Sequence, residues 1–185
     1  VAGGLAMIRS RAATAVATAA VCAALLAGSA LEVVSDRTQV DAVADAIVAD
    51  RAGTVAGADT GDAVVVVCPD QLGPATTRAL ANRGDETQVL PYPVADSDAR
   101  FVDWVDYADR NEASDPIAFA DDLRSTIGPD TTVYLVANPG YRTFEGKCEA
   151  LAAALGGQGP TQLQVVADAA NHFEPMGLWI TRPAA

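Results

Sequence analysis

The chain has 185 residues, enough for one domain of ordinary size and too few for two. Half of it is hydrophobic, and 24 acidic residues against 12 basic ones give a net charge of −12 at pH 7. So acidic a chain repels phosphate backbones, which sets nucleic-acid binding aside.

The charge is unevenly spread. Residues 1–31 hold two arginines, Arg9 and Arg11, and no acid, so the remaining 10 of the 12 bases and all 24 acids lie beyond them. Ala12–Leu31 is an uncharged run of 20 residues. As a helix it measures about 30 Å, the thickness of a bilayer core. The arginines precede it, Glu32 and Asp36 follow it, and basic flanks stay in the cytoplasm. This predicts a transmembrane helix within residues 1–34, with the lipid bilayer as partner and residues 35–185 outside the cytoplasm. Alanine rather than leucine fills the run, so two rivals stand beside the span. One is a signal peptide starting at Met7 and cleaved near Gly28-Ser29-Ala30; the other is a buried helix of a soluble protein. The opening VAGGLA, ahead of any methionine, reads as the tail of something longer, which would make this the last span of a polytopic protein.

The body alternates helices and strands. Thr38 is placed to cap a helix whose apolar face is Val40, Val43, Ala44, Ile47 and Val48. A strand follows at Ala63–Cys68, then a short helix from Gly73-Pro74 to Leu80, with proline in its first turn. A second strand fits Thr87–Tyr92, held short or at an edge by Pro91 and Pro93. A helix is expected from Ser97-Asp98, presenting Phe101, Val105 and Ala108. Another has Asp115 as cap, Pro116 in its first turn, and Ile117, Ala120, Leu123 and Ile127 buried, ending at Gly128-Pro129. Strand Thr132–Ala137, a helix burying Phe144, Cys148, Leu151 and Leu155, and strands Gln162–Val166 and Leu178–Thr181 complete the chain. Such alternation predicts a small three-layer α/β domain with a mainly parallel sheet, flavodoxin- or Rossmann-like in outline. The VVVV and VYLV runs fit strands buried on both faces.

Cys68 ends the first strand, and Cys148 lies on the core face of the helix after the third. Neighbouring strands bring the two within the Cα range of a disulfide, and an oxidising location favours the bond. The alternative is a pair of buried free thiols. Cys22 lies in the apolar head and is no partner. No catalytic residue is identified. A Cys68/His172 pair is weak, no Gly-x-Ser-x-Gly elbow is present, and the body lacks the ligands of a zinc site. Asp96-Ser97-Asp98 reads as a helix cap rather than a metal motif. Asp103, Asp106 and Asp109 read as a solvated helix face, with a weak calcium site as the alternative. No cofactor is implied, and no metal site is assigned.

Ligands of open parallel sheets collect beyond the carboxyl ends of the strands. Asp70 and Gln71 follow the first strand; Asn138, Tyr141 and Arg142 follow the third. Together they offer acceptors, donors and an aromatic face, equipment for a sugar or polar head group. The alternative is that they only cap helices and brace loops.

VVVVCPDQLGPATTRAL, FVDWVDYADRN and YRTFEGKCEAL resemble the extracytoplasmic C-terminal region of actinobacterial polytopic membrane glycosyltransferases. These are of the GT-C kind, related to the dolichyl-phosphate-mannose protein mannosyltransferase superfamily. The resemblance covers roughly residues 12–175. It implies an outer domain that binds or positions substrate for a transferase using a lipid-linked sugar donor, or braces that enzyme. The implied partners are a sugar, glycan or polyprenyl-phosphate-linked sugar and the remainder of the transferase. The family's catalytic acid lies in an early outer loop absent here, so the segment is expected not to catalyse by itself. The competing expectation is a secreted α/β binding protein released by signal peptidase.

Overall fold

The computed structural model describes residues 11–34, 37–54, 62–141 and 144–184. The chain divides into two compact units, Val1–Arg37 and Thr38–Ala185. In the first, helix α1 spans Arg11–Val34, 24 residues. It covers the uncharged run, and Val16, Leu25 and Leu26 on it are exposed. Among the described residues no helix is long and apolar enough to cross a membrane. The helix expected there forms, but its role as a span is not supported. Ten alanines against five leucines and valines in Ala12–Leu31 are the weak point of that expectation.

The second unit holds α2 (Val40–Thr54), β1 (Ala63–Cys68), α3 (Gly73–Ala81), β2 (Gln88–Pro91), α4 (Tyr107–Ala113) and α5 (Pro116–Ile127). It continues with β3 (Thr132–Ala137), α6 (Lys147–Gly156), β4 (Thr161–Val165) and β5 (Gly177–Thr181). The five strands form one sheet in the order β2-β1-β3-β5-β4. β1 pairs in parallel with β2 and with β3. β5 pairs antiparallel with β3 and with β4, so β5 alone runs against the other strands. The sheet is therefore mixed, which corrects the parallel expectation at its far side. The reason is the connection between β4 and β5. It carries no helix among the described residues, and strands joined without a crossover pair antiparallel.

Alternation along β1 splits the core. Val64, Val66 and Cys68 pack with Leu123, Leu151 and Leu155 of α5 and α6. Val65 and Val67 pack with Ile47 of α2 and Leu80 of α3 on the opposite face. Helices thus cover both faces, and the domain has three layers. The anticipated face of α2 holds, with Val43, Ala44 and Ile47 fully buried. On α5 the cap is Asp115, whose carboxylate accepts from the amides of Ile117 and Ala118. Ala120 and Leu123 are buried, but Ile117 is 62% exposed.

The helix expected from Ser97-Asp98 does not form. Asp98 accepts from the Arg100 amide at 3.0 Å and Asp103 from the Val105 amide at 2.9 Å. Each side chain closes a local turn that competes with helical bonding. Only α4 remains, entered through Asp106 at φ 52°. Phe101 and Val105 are left exposed. Asp96-Ser97-Asp98 is accordingly no helix cap, and Asp103, Asp106 and Asp109 share no helix face.

Cys68 and Cys148 are bonded, with Cα atoms 5.6 Å apart and 80 residues between them in sequence. The bond ties the end of β1 to the first turn of α6. Closing a loop of this length is worth roughly 4 kcal/mol in the chain-entropy model. Cys68→Ala and Cys148→Ala should each lower unfolding free energy by about 2–4 kcal/mol. The double variant should lose little more than either single, since one bond is removed in every case. Urea titrations of unreduced protein read this directly, and additive losses in the double variant would contradict it.

Candidate functional site

The chain leaves β1 for α3 on one face of the sheet and leaves β3 for α6 on the other. Two adjacent parallel strands whose connections diverge this way open a crevice between their carboxyl ends. The walls here are the 3₁₀ turn Asp70–Leu72 and the segment following Ala137.

Main-chain bonds carry the ladder past the strand ends. The Asn138 amide donates to the Cys68 carbonyl at 3.0 Å, and the Asp70 amide to the Tyr92 carbonyl at 3.0 Å. Cys68-Pro69 and Tyr92-Pro93 are cis peptides. Asp70 is buried. Its carboxylate accepts the Tyr107 hydroxyl at 3.0 Å and the Gln71 amide. Burial raises the Asp70 carboxyl above the ordinary range. The Tyr107 hydrogen bond, nearby Arg110 and the Gln71 amide pull it back, while Asp103 pushes it up. Burial and the Asp70 carboxylate also raise the Tyr107 hydroxyl well above its usual range, so Tyr107 stays the donor at neutral pH.

Asn138 is buried, and its side-chain oxygen accepts the Gly140 amide at 3.1 Å. That acceptor shapes its own loop. Tyr141 is half-buried, with its ring 6.2 Å from that of Phe144. Phe144 in turn lies 6.0 Å from Tyr107 and 5.9 Å from Tyr92. Of the residues singled out in the sequence, Asp70 and Asn138 therefore act as braces, and Gln71 is half-buried on the 3₁₀ turn. Tyr141 lines a hollow of about 450 Å³ with Pro139, Gly140 and Glu145. Arg142 lies outside the described residues.

Sequence reasoning missed Glu145, which supplies the carboxylate of that hollow. It also missed Lys147, the chain's single lysine. Lys147 Nζ donates to the carbonyl of Asn111, to those of Glu112 and Ser114 at 2.9 Å, and to Ser114 Oγ at 3.0 Å. It closes the carboxyl end of α4, where orphan carbonyls and the helix dipole both favour a cation. Ser114 Oγ also accepts the Tyr92 hydroxyl at 2.8 Å and donates to the Asn111 carbonyl at 2.7 Å. A second hollow of about 450 Å³ lies beyond β2, lined by Tyr92, Pro93, Arg110, Ser114, Asp115 and Phe119 among others. Nothing in the local sequence announced it, because its walls come from three separate segments.

Other candidates resolve simply. Cys68 is bonded, so it is no nucleophile. His172 sits in the turns between β4 and β5, where its amide donates to the Asp168 carbonyl. Among the described residues no group of three or more His, Cys, Asp or Glu is arranged to hold a metal ion. No protein-family model, no characterised protein and no solved structure matches the chain.

Two expectations follow. The raised Asp70 carboxyl means the folded chain holds that proton more tightly than the unfolded chain. The associated stability is full below about pH 4 and is lost as pH rises through the raised folded value. Asp70→Asn should match the parent near pH 4 and gain on it towards pH 7 in urea midpoints. A gap that stays constant with pH would contradict this. Lys147→Met should cost about 1–3 kcal/mol, because the carbonyls of buried Asn111 and half-buried Ser114 lose their donor. Amide exchange in α4 should rise more than in α5.

Proposed function

We propose that residues 38–185 form an extracytoplasmic domain, locked by a disulfide, that binds and positions the sugar substrate of a membrane glycosyltransferase. The observation that carries this is the Cys68–Cys148 bond at the mouth of the crevice. Such bonds persist in oxidising compartments, and this one holds the loop after β1 against the helix after β3. Beside it, Tyr141 presents a ring face and Glu145 a carboxylate. An aromatic surface suits the C–H face of a sugar, and a carboxylate accepts from its hydroxyls. The lipid-linked donor comes from the resemblance of VVVVCPDQLGP and YRTFEGKCEAL to the outer regions of such transferases. On this proposal α1 is the tether, with Arg9 and Arg11 on the cytoplasmic side. The domain holds substrate or braces the enzyme, and the catalytic acid lies elsewhere in the transferase.

A second possibility is a secreted α/β binding protein released by signal peptidase. The small residues Gly28-Ser29-Ala30 near the end of the uncharged run favour it. Fractionation separates the two. Material retained in membranes after carbonate washing supports the tether; soluble material trimmed near Ala30 supports secretion.

The binding proposal is tested with the full chain in detergent micelles, titrated with oligosaccharides and with a polyprenyl-phosphate-linked sugar. Saturable binding should weaken at least about tenfold in Tyr141→Ala, a change of about 1.4 kcal/mol, and no sugar transfer should occur. Binding indifferent to Tyr141 and Glu145 would overturn the site. Turnover abolished by changing one of the chain's own carboxylates would overturn the non-catalytic role.

A further inference from the structure

The hollow beyond β2 carries charges of both signs. Its volume of about 450 Å³ is that of a small-molecule site. Tyr92 lines it and follows directly on β2, so it lies past the carboxyl end of a parallel strand, where ligands of such sheets collect. One part of the lining comes from α4 and holds Arg110. Another is a single face of α5 with its cap: Asp115, Ala118, Phe119 and Asp122 follow the i, i+3, i+4, i+7 spacing that aligns side chains on a helix. The rings of Tyr92 and Phe119, edge to face with centroids 5.1 Å apart, supply an apolar surface between these charges.

The charged groups are only partly used by the protein itself. Arg110 Nη2 donates to the Asp103 carbonyl, and the guanidinium carbon lies 5.9 Å from the centre of the Tyr107 ring. These contacts hold the side chain in place. The Asp103 carboxylate is 4.0 Å away, too far for a charge-assisted hydrogen bond. Nε is buried without an acceptor, and Nη1 donates to nothing among the described residues. Buried polar groups are nearly always bonded, so a guanidinium with two donor atoms unspent calls for an anion. A carboxylate matches its planar fork. On α5, Asp115 Oδ1 is spent on the amides of Ile117 and Ala118. Asp122 is different. Its main-chain carbonyl accepts from Ser125 and Thr126, but its exposed carboxylate takes part in no hydrogen bond or ion pair among the described residues.

This pattern selects the occupant. A simple anion that reaches Arg110 also meets Asp115 and Asp122, and a simple cation meets Arg110. A neutral ligand leaves both kinds of charge unpaired. A molecule with an ammonium and a carboxylate is matched at both places. We propose that the hollow binds an amino acid or dipeptide with an apolar side chain. Its carboxylate lies on Arg110, its ammonium on Asp122, and its side chain against Tyr92 and Phe119. This inference is independent of the sugar-binding proposal, whose hollow follows β3.

The test is calorimetric titration of the full chain in detergent micelles with leucine and leucyl-leucine, and with the N-acetyl and C-terminal amide forms of each. The parent zwitterions should bind saturably, and either blocking group should weaken binding at least about tenfold. Whichever zwitterion binds more tightly sets the length of the ligand. Asp122→Asn, at an exposed position, should weaken the zwitterion at least about tenfold and leave the N-acetyl form unchanged, since that form has no ammonium to lose. A folding defect would weaken both. Ala118→Trp fills the hollow from an exposed site on α5 and should abolish binding with an unchanged melting temperature. No binding of either zwitterion up to about 10 mM overturns the proposal. So does equal affinity for the blocked forms, which marks the hollow as merely apolar, or binding indifferent to Asp122→Asn.

Discussion

The Cys68–Cys148 bond fixes the layer on which the crevice rests. β1 is bonded on both sides, to β2 and to β3, and all three point their carboxyl ends the same way. At that level the Tyr92 amide donates to the Val67 carbonyl, the Asp70 amide to the Tyr92 carbonyl and the Asn138 amide to the Cys68 carbonyl. The disulfide adds α6 to this set. Three strand ends and one helix are thus tied together by bonds short enough to leave little play. Loops of this kind ordinarily fray before the rest of a domain opens. Here the covalent link joins the loop after β1 to the element after β3, so neither wall of the crevice moves alone.

Several polar groups drawn into that layer are satisfied by a few long-range donors. Asp70 is buried, and Tyr107 supplies its hydrogen bond from an element 37 residues away. At the carboxyl end of α4, buried Asn111 and half-buried Ser114 have carbonyls bonded by Lys147, which reaches across from α6. An unpaired carboxylate or carbonyl in such a place costs about 1–3 kcal/mol, more than a typical hydrogen bond contributes. These residues are therefore better understood as conditions for placing the loops than as reagents. The hollow after β3 is lined by the half-buried Tyr141 and by Glu145, beside a Gly140 amide already taken by Asn138.

The parts legible in the sequence were those governed by local period. Valine runs gave the central strands, Asp115-Pro116 the start of α5, and the spacing Phe144–Cys148–Leu151–Leu155 a core face and with it the disulfide. The far side of the sheet was not legible, because the direction of β5 depends on a connection whose lack of helix carries no positive signal. The stretch before α4 misled for a different reason. Phe101, Val105 and Ala108 have helical spacing, but Asp98 and Asp103 each close a turn with the amide two residues on. Two short side chains outweighed a periodicity that had nothing to pack against. At the site, Tyr141 followed from the rule about strand ends. Glu145 and Lys147 did not, since their roles depend on where a helix from elsewhere in the chain comes to rest.

The distribution of charge sets a last constraint. Arg83 bridges Asp41 and Asp45 at 2.9 and 2.6 Å, Arg51 meets Asp85 at 3.0 Å, and Arg182 meets Asp50 at 2.6 Å. Asp45 is held below its usual range chiefly by the hydrogen bond from Arg83. The pairs of Arg83 with the exposed Asp41 and Asp45 contribute about 0–1 kcal/mol each, so their effect on stability is small. Their effect on the surface is larger. With arginines engaged around α2, the excess of acid stays on the exposed turns and helices. Contact with neutral chemistry is then favoured at the places where charge is absent or satisfied. Within residues 38–185 these are the floor of the crevice, where Tyr107 hydrogen-bonds the buried Asp70, and the uncharged strand β4.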